Sequence, residues 1–96
     1  MKNITVYLNE SAVSNKFDKK DIKGTFDYLK SIGFEEDGVV EASSPLWMKL
    51  YKMKRDDEVI HVRVNCKLRT QDETSIESVT NSHGVSLIKR NKFVVK

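Results

Sequence analysis

His61 and Arg63 stand two residues apart, with Tyr51 and Lys52 a short way upstream. An imidazole to move a proton, cations to hold a phosphodiester and a phenol to orient it are the parts of a small ribonuclease site. That chemistry needs the four side chains on one surface, with His61 as general acid or base. The other titratable groups offer less. Glu35, Glu36 and Asp37, and again Asp56, Asp57 and Glu58, are runs of carboxylates. Both read as solvated turns, where nothing splits the pKa values of neighbouring acids into an acid and a base. His83 follows Ser82, with Asp72 further upstream, but a triad is defined by geometry and not by such proximity. With two His, one Cys and no paired-ligand spacing, no metal is expected. The four glycines are isolated, so no phosphate loop and no cofactor are expected either.

The element that must position His61 and Arg63 is the clearest in the chain. Over residues 59–69, Ile60, Val62, Val64, Cys66 and Leu68 alternate with His61, Arg63, Asn65, Lys67 and Arg69. A period of two over this length predicts a strand with an apolar face inward and a basic face outward. Cys66 falls on the apolar side and reads as a small buried hydrophobe.

Residues 46–54 form the preceding strand, joined to it by the charged turn at Arg55, Asp56, Asp57 and Glu58. The loop length sets which face of this strand points inward. A two-residue Asp56-Asp57 loop puts Tyr51 opposite Val62 and Trp47 opposite Cys66, so that the aromatics are core. An odd-numbered loop puts Leu50 opposite Val62. Trp47, Lys49 and Tyr51 then join His61, Arg63 and Lys67 on an exposed platform where the aromatics could stack on bases. The first register is favoured, because large aromatics are mostly buried.

Elsewhere, residues 3–8 alternate Ile4, Val6 and Leu8 against Thr5 and Tyr7, as a strand does. Residues 18–32 carry Ile22, Phe26, Leu29 and Ile32 at helical spacing. Asp18 or Asp21 suits the N-cap and Gly33 the C′ position. Phe34 returns to the core. Val39 and Val40 begin a short strand, with Ser43, Ser44 and Pro45 breaking it. Thr74, Ser75, Ile76 and Glu77 match a capping box, which favours a short helix near residues 74–81. Residues 85–88 and 93–95 form a last hairpin with Lys89, Arg90 and Lys92 at its tip. This element order after the helix is similar to that of the double-wing DNA-binding domains of phage transcription activators, a likeness of order alone.

Ninety-six residues with 39% hydrophobic and 32% charged composition predict one soluble domain with a single modest core. The fold class expected is α+β: a mainly antiparallel sheet of five or six strands, one main helix on one face and a possible short second helix. The expected core is Ile4, Val6, Ile22, Phe26, Leu29, Ile32, Phe34, Ile60, Val62, Val64, Cys66, Leu68, Leu87 and Phe93. With no apolar run near membrane-spanning length, no secretory leader and one cysteine, a cytoplasmic location is expected.

Charge is uneven: residues 1–48 balance to −2 and residues 49–96 to +5. A basic second half suits a polyanion or an acidic surface. Lys outnumbers Arg thirteen to four, which favours phosphate contact over base reading. The leading expectation is a non-catalytic basic module that contacts nucleic acid or a nucleic-acid-handling complex. It would use Lys49, Lys52, Lys54, His61, Arg63, Lys67 and Arg69 on the first hairpin and Lys89, Arg90 and Lys92 on the last, with Trp47 and Tyr51 as possible stacking groups. The alternative is a regulator or inhibitor that binds a protein, through an acidic partner surface or by strand addition near Val39. A ribonuclease ranks third.

Overall fold

A computed structural model describes residues 15–42, 48–67, 70 and 72–95. Its elements are α1 (Ile22–Ser31), β1 (Glu35–Ala42), β2 (Met48–Arg55), β3 (Glu58–Cys66), β4 (Glu73–Asn81), β5 (Ile88–Lys89) and β6 (Lys92–Phe93). β1 to β4 form one antiparallel sheet in sequence order, and β5 and β6 form a separate two-stranded ribbon. The class is α+β, with the strands divided four and two instead of sharing one sheet. The expected strand at residues 3–8 with Ile4 and Val6, and also Trp47, Leu68 and Arg69, lie outside the described residues. Among the described residues no helix is long and apolar enough to cross a membrane.

The helix is set by its ends. Asp21 is the N-cap, and its carboxylate accepts the Gly24 N–H at 2.8 Å. Asp18 caps the preceding turn by accepting the Lys20 N–H at 2.9 Å. At the other end Gly33 takes a φ of 107°, its N–H reaching the Lys30 carbonyl at 3.1 Å. The Phe34 N–H reaches the Leu29 carbonyl at 3.0 Å, completing a Schellman stop. Gly24 serves the cap and not a close approach to the sheet: a Cβ there would meet the Asp21 carboxylate.

The buried face of α1 is Thr25, Tyr28 and Leu29, with Ile22, Phe26 and Ile32 half-buried beside it. This differs from the expected centre because the C-terminal ribbon also packs on the helix. Tyr28 stacks on Phe93 at 4.5 Å and donates to the Val95 carbonyl at 2.9 Å. Phe17 meets Phe93 edge-on at 5.5 Å. The sheet contributes Met53, Ile60, Val62, Val64, Ile76 and Val79 to the same core. Cys66 and Leu87, expected in the core, are only half-buried.

Three expectations are corrected. Residues 74–81 belong to β4, not to a helix. A register shift opposite Arg63 and Val64 lets Ile76 and Val79 face inward at a helix-like spacing of three. The β-branched Thr74, Ile76, Val79 and Thr80 suit the strand. The likeness in element order to double-wing domains goes with the lost helix. Glu35, Glu36 and Asp37 lie within β1, whose ladder is interrupted between Glu36 and Val39, so they are not a separate turn. The last hairpin is shorter than expected, with Arg90 and Asn91 as its two-residue turn.

Because Asp21 is the residue that caps α1, Asp21→Ala is expected to cost about 1 kcal/mol of stability. Urea denaturation of the two proteins checks this; an unchanged midpoint would refute the cap's contribution.

Candidate functional site

The β2–β3 turn is the two-residue loop Asp56-Asp57, with Arg55 opposite Glu58 and Tyr51 opposite Val62. Asp56 takes a φ of 51°, which a short polar side chain tolerates. This register turns Lys49, Tyr51 and Met53 to the helix side with Val62 and Val64. Lys52, Lys54, His61 and Arg63 face the opposite, open side of the sheet. Lys52 lies opposite His61, and Leu50 opposite Arg63. The ribonuclease set is therefore divided by the sheet, Tyr51 on one face and Lys52, His61 and Arg63 on the other.

Tyr51 is held where it is. Its ring meets Phe26 edge-on at 4.9 Å, and its hydroxyl donates to a Glu73 carboxylate oxygen at 2.6 Å. Burial pushes the phenol well above its ordinary value, and the hydrogen bond to Glu73 and the nearby carboxylate charge push it further. Tyr51 is a packing residue in this register and not a stacking platform beside His61.

The open face is mixed in charge. Lys52 pairs with Asp37 at 3.8 Å, and Lys54 lies opposite Glu35 in the ladder. Asn65 donates to Glu77 at 2.9 Å. Arg63 is exposed beside Ser78 on β4, with no carboxylate partner among the described residues. Lys67 follows β3, where its N–H bonds the Asp72 carbonyl at 2.9 Å.

A second group of cations assembles at the ribbon. Phe17 N–H reaches the Asn91 carbonyl and Phe93 N–H the Asn15 carbonyl, both at 2.7 Å, so Lys16 bridges to Lys92 as an extra strand would. Lys92 in turn lies opposite Lys89. Three lysines thus form one cross-strand row, with neighbours about 5 Å apart. Arg90 projects from the turn beside them, and Lys19 and Lys20 follow on the segment that carries Lys16. All six are exposed. No carboxylate pairs with Lys89, Arg90 or Lys92 among the described residues. Asp18, the acid within this segment, is engaged by the Lys20 backbone.

The cations of the first hairpin and of the ribbon do not form one patch. The ribbon docks on the helix side through Phe93, while Lys52, Lys54, His61 and Arg63 leave from the other side of the sheet. Lys16 joins this basic end only through its backbone pairing with Lys92, 76 positions away in the chain, and Lys19 and Lys20 follow it there. Among the described residues no three His, Cys, Asp or Glu side chains come together as metal ligands. Comparison of the chain with protein-family models, curated proteins and solved structures gives no match.

The Tyr51 and Tyr28 phenols are both raised, Tyr28 chiefly by burial. A folded-state value above the unfolded one means that both contribute fully to stability below the unfolded phenol value near pH ~10. That contribution is lost as pH climbs beyond it. The denaturation midpoint is expected to fall above pH ~10, and Tyr51→Phe is expected to shrink that fall. An equal fall in the variant would contradict the placement of Tyr51.

Proposed function

We propose that the protein is a non-catalytic polyanion-binding module that holds the phosphate backbone of nucleic acid on its ribbon end. Lys16, Lys89 and Lys92 are the main phosphate contacts, Arg90 reaches from the turn, and Lys19 and Lys20 extend the surface. The observation that carries this reading is Lys89 set directly opposite Lys92 on the ribbon, neither paired with a carboxylate among the described residues. Like charges placed directly opposite on neighbouring strands repel. A polyanion relieves that repulsion on binding and releases its own counterions, which is the main source of affinity without sequence reading. Lysine suits this task, being a point charge on a flexible stem. The open-face group at Lys52, Lys54, His61 and Arg63 is secondary, since Asp37 already pairs with Lys52.

Arg90 supports the same reading from the backbone. It takes a φ of 54° and Asn91 one of 62°. A two-residue turn of this kind prefers Asn, Asp or Gly at its first position. Arginine there strains the backbone and places an exposed cation at the turn of the ribbon.

Duplex oligonucleotide binding is expected to weaken with salt, log affinity falling against log salt with a slope of about −3 to −4 for four cations. Lys89→Glu with Lys92→Glu should abolish binding, whereas Lys52→Glu with Lys54→Glu should leave most of it. Fluorescence anisotropy checks both; salt-independent binding, or equal loss in the two variants, would overturn the assignment. Arg90→Asn is expected to raise stability by about 0.5–1 kcal/mol while flattening the salt slope by about 1. Denaturation and anisotropy on the same sample read the two effects.

A further inference from the structure

The four-stranded sheet has two edges, and the chain treats them differently. The β4 edge is covered. Ile76 N–H bonds the Lys19 carbonyl at 2.7 Å, Leu87 N–H the Val79 carbonyl at 2.8 Å, and Asn81 N–H the Val85 carbonyl at 3.0 Å. The β1 edge has no such cover among the described residues: β1 pairs with β2 alone. Val39 and Val40 on this edge are 52% and 65% exposed. They point to opposite faces, Val39 beside Tyr51 on the helix side and Val40 beside Leu50 on the open side. An added strand would cover both at once.

We propose that the β1 edge accepts an extended protein segment bearing Lys or Arg on either side of β-branched residues, as a fifth strand of the sheet. Backbone hydrogen bonds would supply the attachment and the valines the apolar contact. The charges select the occupant. Glu35, Glu36 and Asp37 precede the valines, and Glu41 follows them opposite Lys49. The pairs Lys30–Glu36 and Lys52–Asp37 are long, at 4.0 and 3.8 Å, and about half exposed, so these carboxylates remain open to a second cation. A second copy of this chain is a poor occupant: its own β1, residues 35–42, is acidic and carries no Lys or Arg, so it offers this edge no cation. The interruption after Glu36, with Gly38 at a φ of 120°, further limits regular pairing to the part of β1 that begins at Val39. The edge thus rejects its own kind and acidic strands while admitting basic ones.

The test uses the full chain and a capped ten-residue peptide alternating Lys with Val and Thr, read by amide hydrogen exchange and by sedimentation. In the free protein, the β1 amides that do not donate to β2 are expected to exchange quickly. The peptide should protect them one-to-one, with the protein still monomeric. The same peptide with Glu for Lys, or N-methylated at alternate residues, should bind at least about tenfold more weakly. Three outcomes would overturn the proposal: protection of those amides already present in the free monomer, which would mean the chain covers its own edge; protection that appears only on dimerisation; or equal binding of the N-methylated peptide. Lys89→Glu with Lys92→Glu leaves this surface intact, so its result is independent of the polyanion reading.

Discussion

The register of β2 against β3 decides which half of the sheet is dry. Side chains alternate along a strand, so moving the pairing by one residue would exchange the two faces wholesale. The Asp56-Asp57 turn fixes it. Asp56 accepts the left-handed φ of 51° that a two-residue connection of twisted strands demands. Arg55 then faces Glu58, where its guanidinium donates at 2.6 Å, and also donates to the Ile32 carbonyl at 2.8 Å. That second bond ties the turn to the end of α1, and the same guanidinium lies 4.4 Å over the Phe34 ring. The arginine beside the turn thus locks hairpin, helix end and core together. Everything that distinguishes the two faces, from buried Met53 to exposed Arg63, follows from this corner.

The helix alone does not cover the dry face. Thr25, Tyr28 and Leu29 supply its centre, and the C-terminal ribbon supplies the flank through Phe93 and Val95. Tyr28 has its hydroxyl satisfied by the Val95 carbonyl, which allows a polar group at that depth. Thr25 is buried too, and its hydroxyl donates to the Asp21 carbonyl at 3.0 Å. Packing the ribbon here has an electrostatic consequence. The cations of residues 89–92 are carried to the helix side, away from those of β2 and β3 and next to Lys16. Two positive groups result where a pattern reading of the chain sees one.

Local rules revealed much of this arrangement. The alternation of Ile60, Val62 and Val64 gave β3 its buried face, the Asp21 and Gly33 signals marked the helix ends, and the Asp56-Asp57 pair pointed to the register that occurs. The failures share a cause. The spacing of Ile76 and Val79 matches a helix as well as a bulged strand, and the choice is made by β3, which offers its edge to this segment. Thr25 and Tyr28 look peripheral until Phe93 arrives from the far end of the chain. The tip cations Lys89, Arg90 and Lys92 were legible, but the addition of Lys16 was not, for the same reason: it meets Lys92 only through long-range backbone pairing. Short-range patterns describe elements, and the candidate site is made where distant ones touch.

The ribbon is the part of the fold that local energetics explain least well. Two-residue strands cannot hold themselves together in water. This one also carries Arg90 in a conformation suited to Asn or Gly, and a row of opposed lysines. Each of those features costs on the order of 1 kcal/mol. Against them stand Phe93 and Val95, both buried, and burial of side chains of this size contributes about 1.5–3 kcal/mol apiece. The anchors outweigh the strain, so the ribbon stays in place despite its charges. A sequence under pressure for stability alone would keep the anchors and change the tip, because Asn at position 90 and an acid at 89 or 92 would remove both costs without touching the core. The cations at 89, 90 and 92 are therefore not explained by the packing of the fold they sit on.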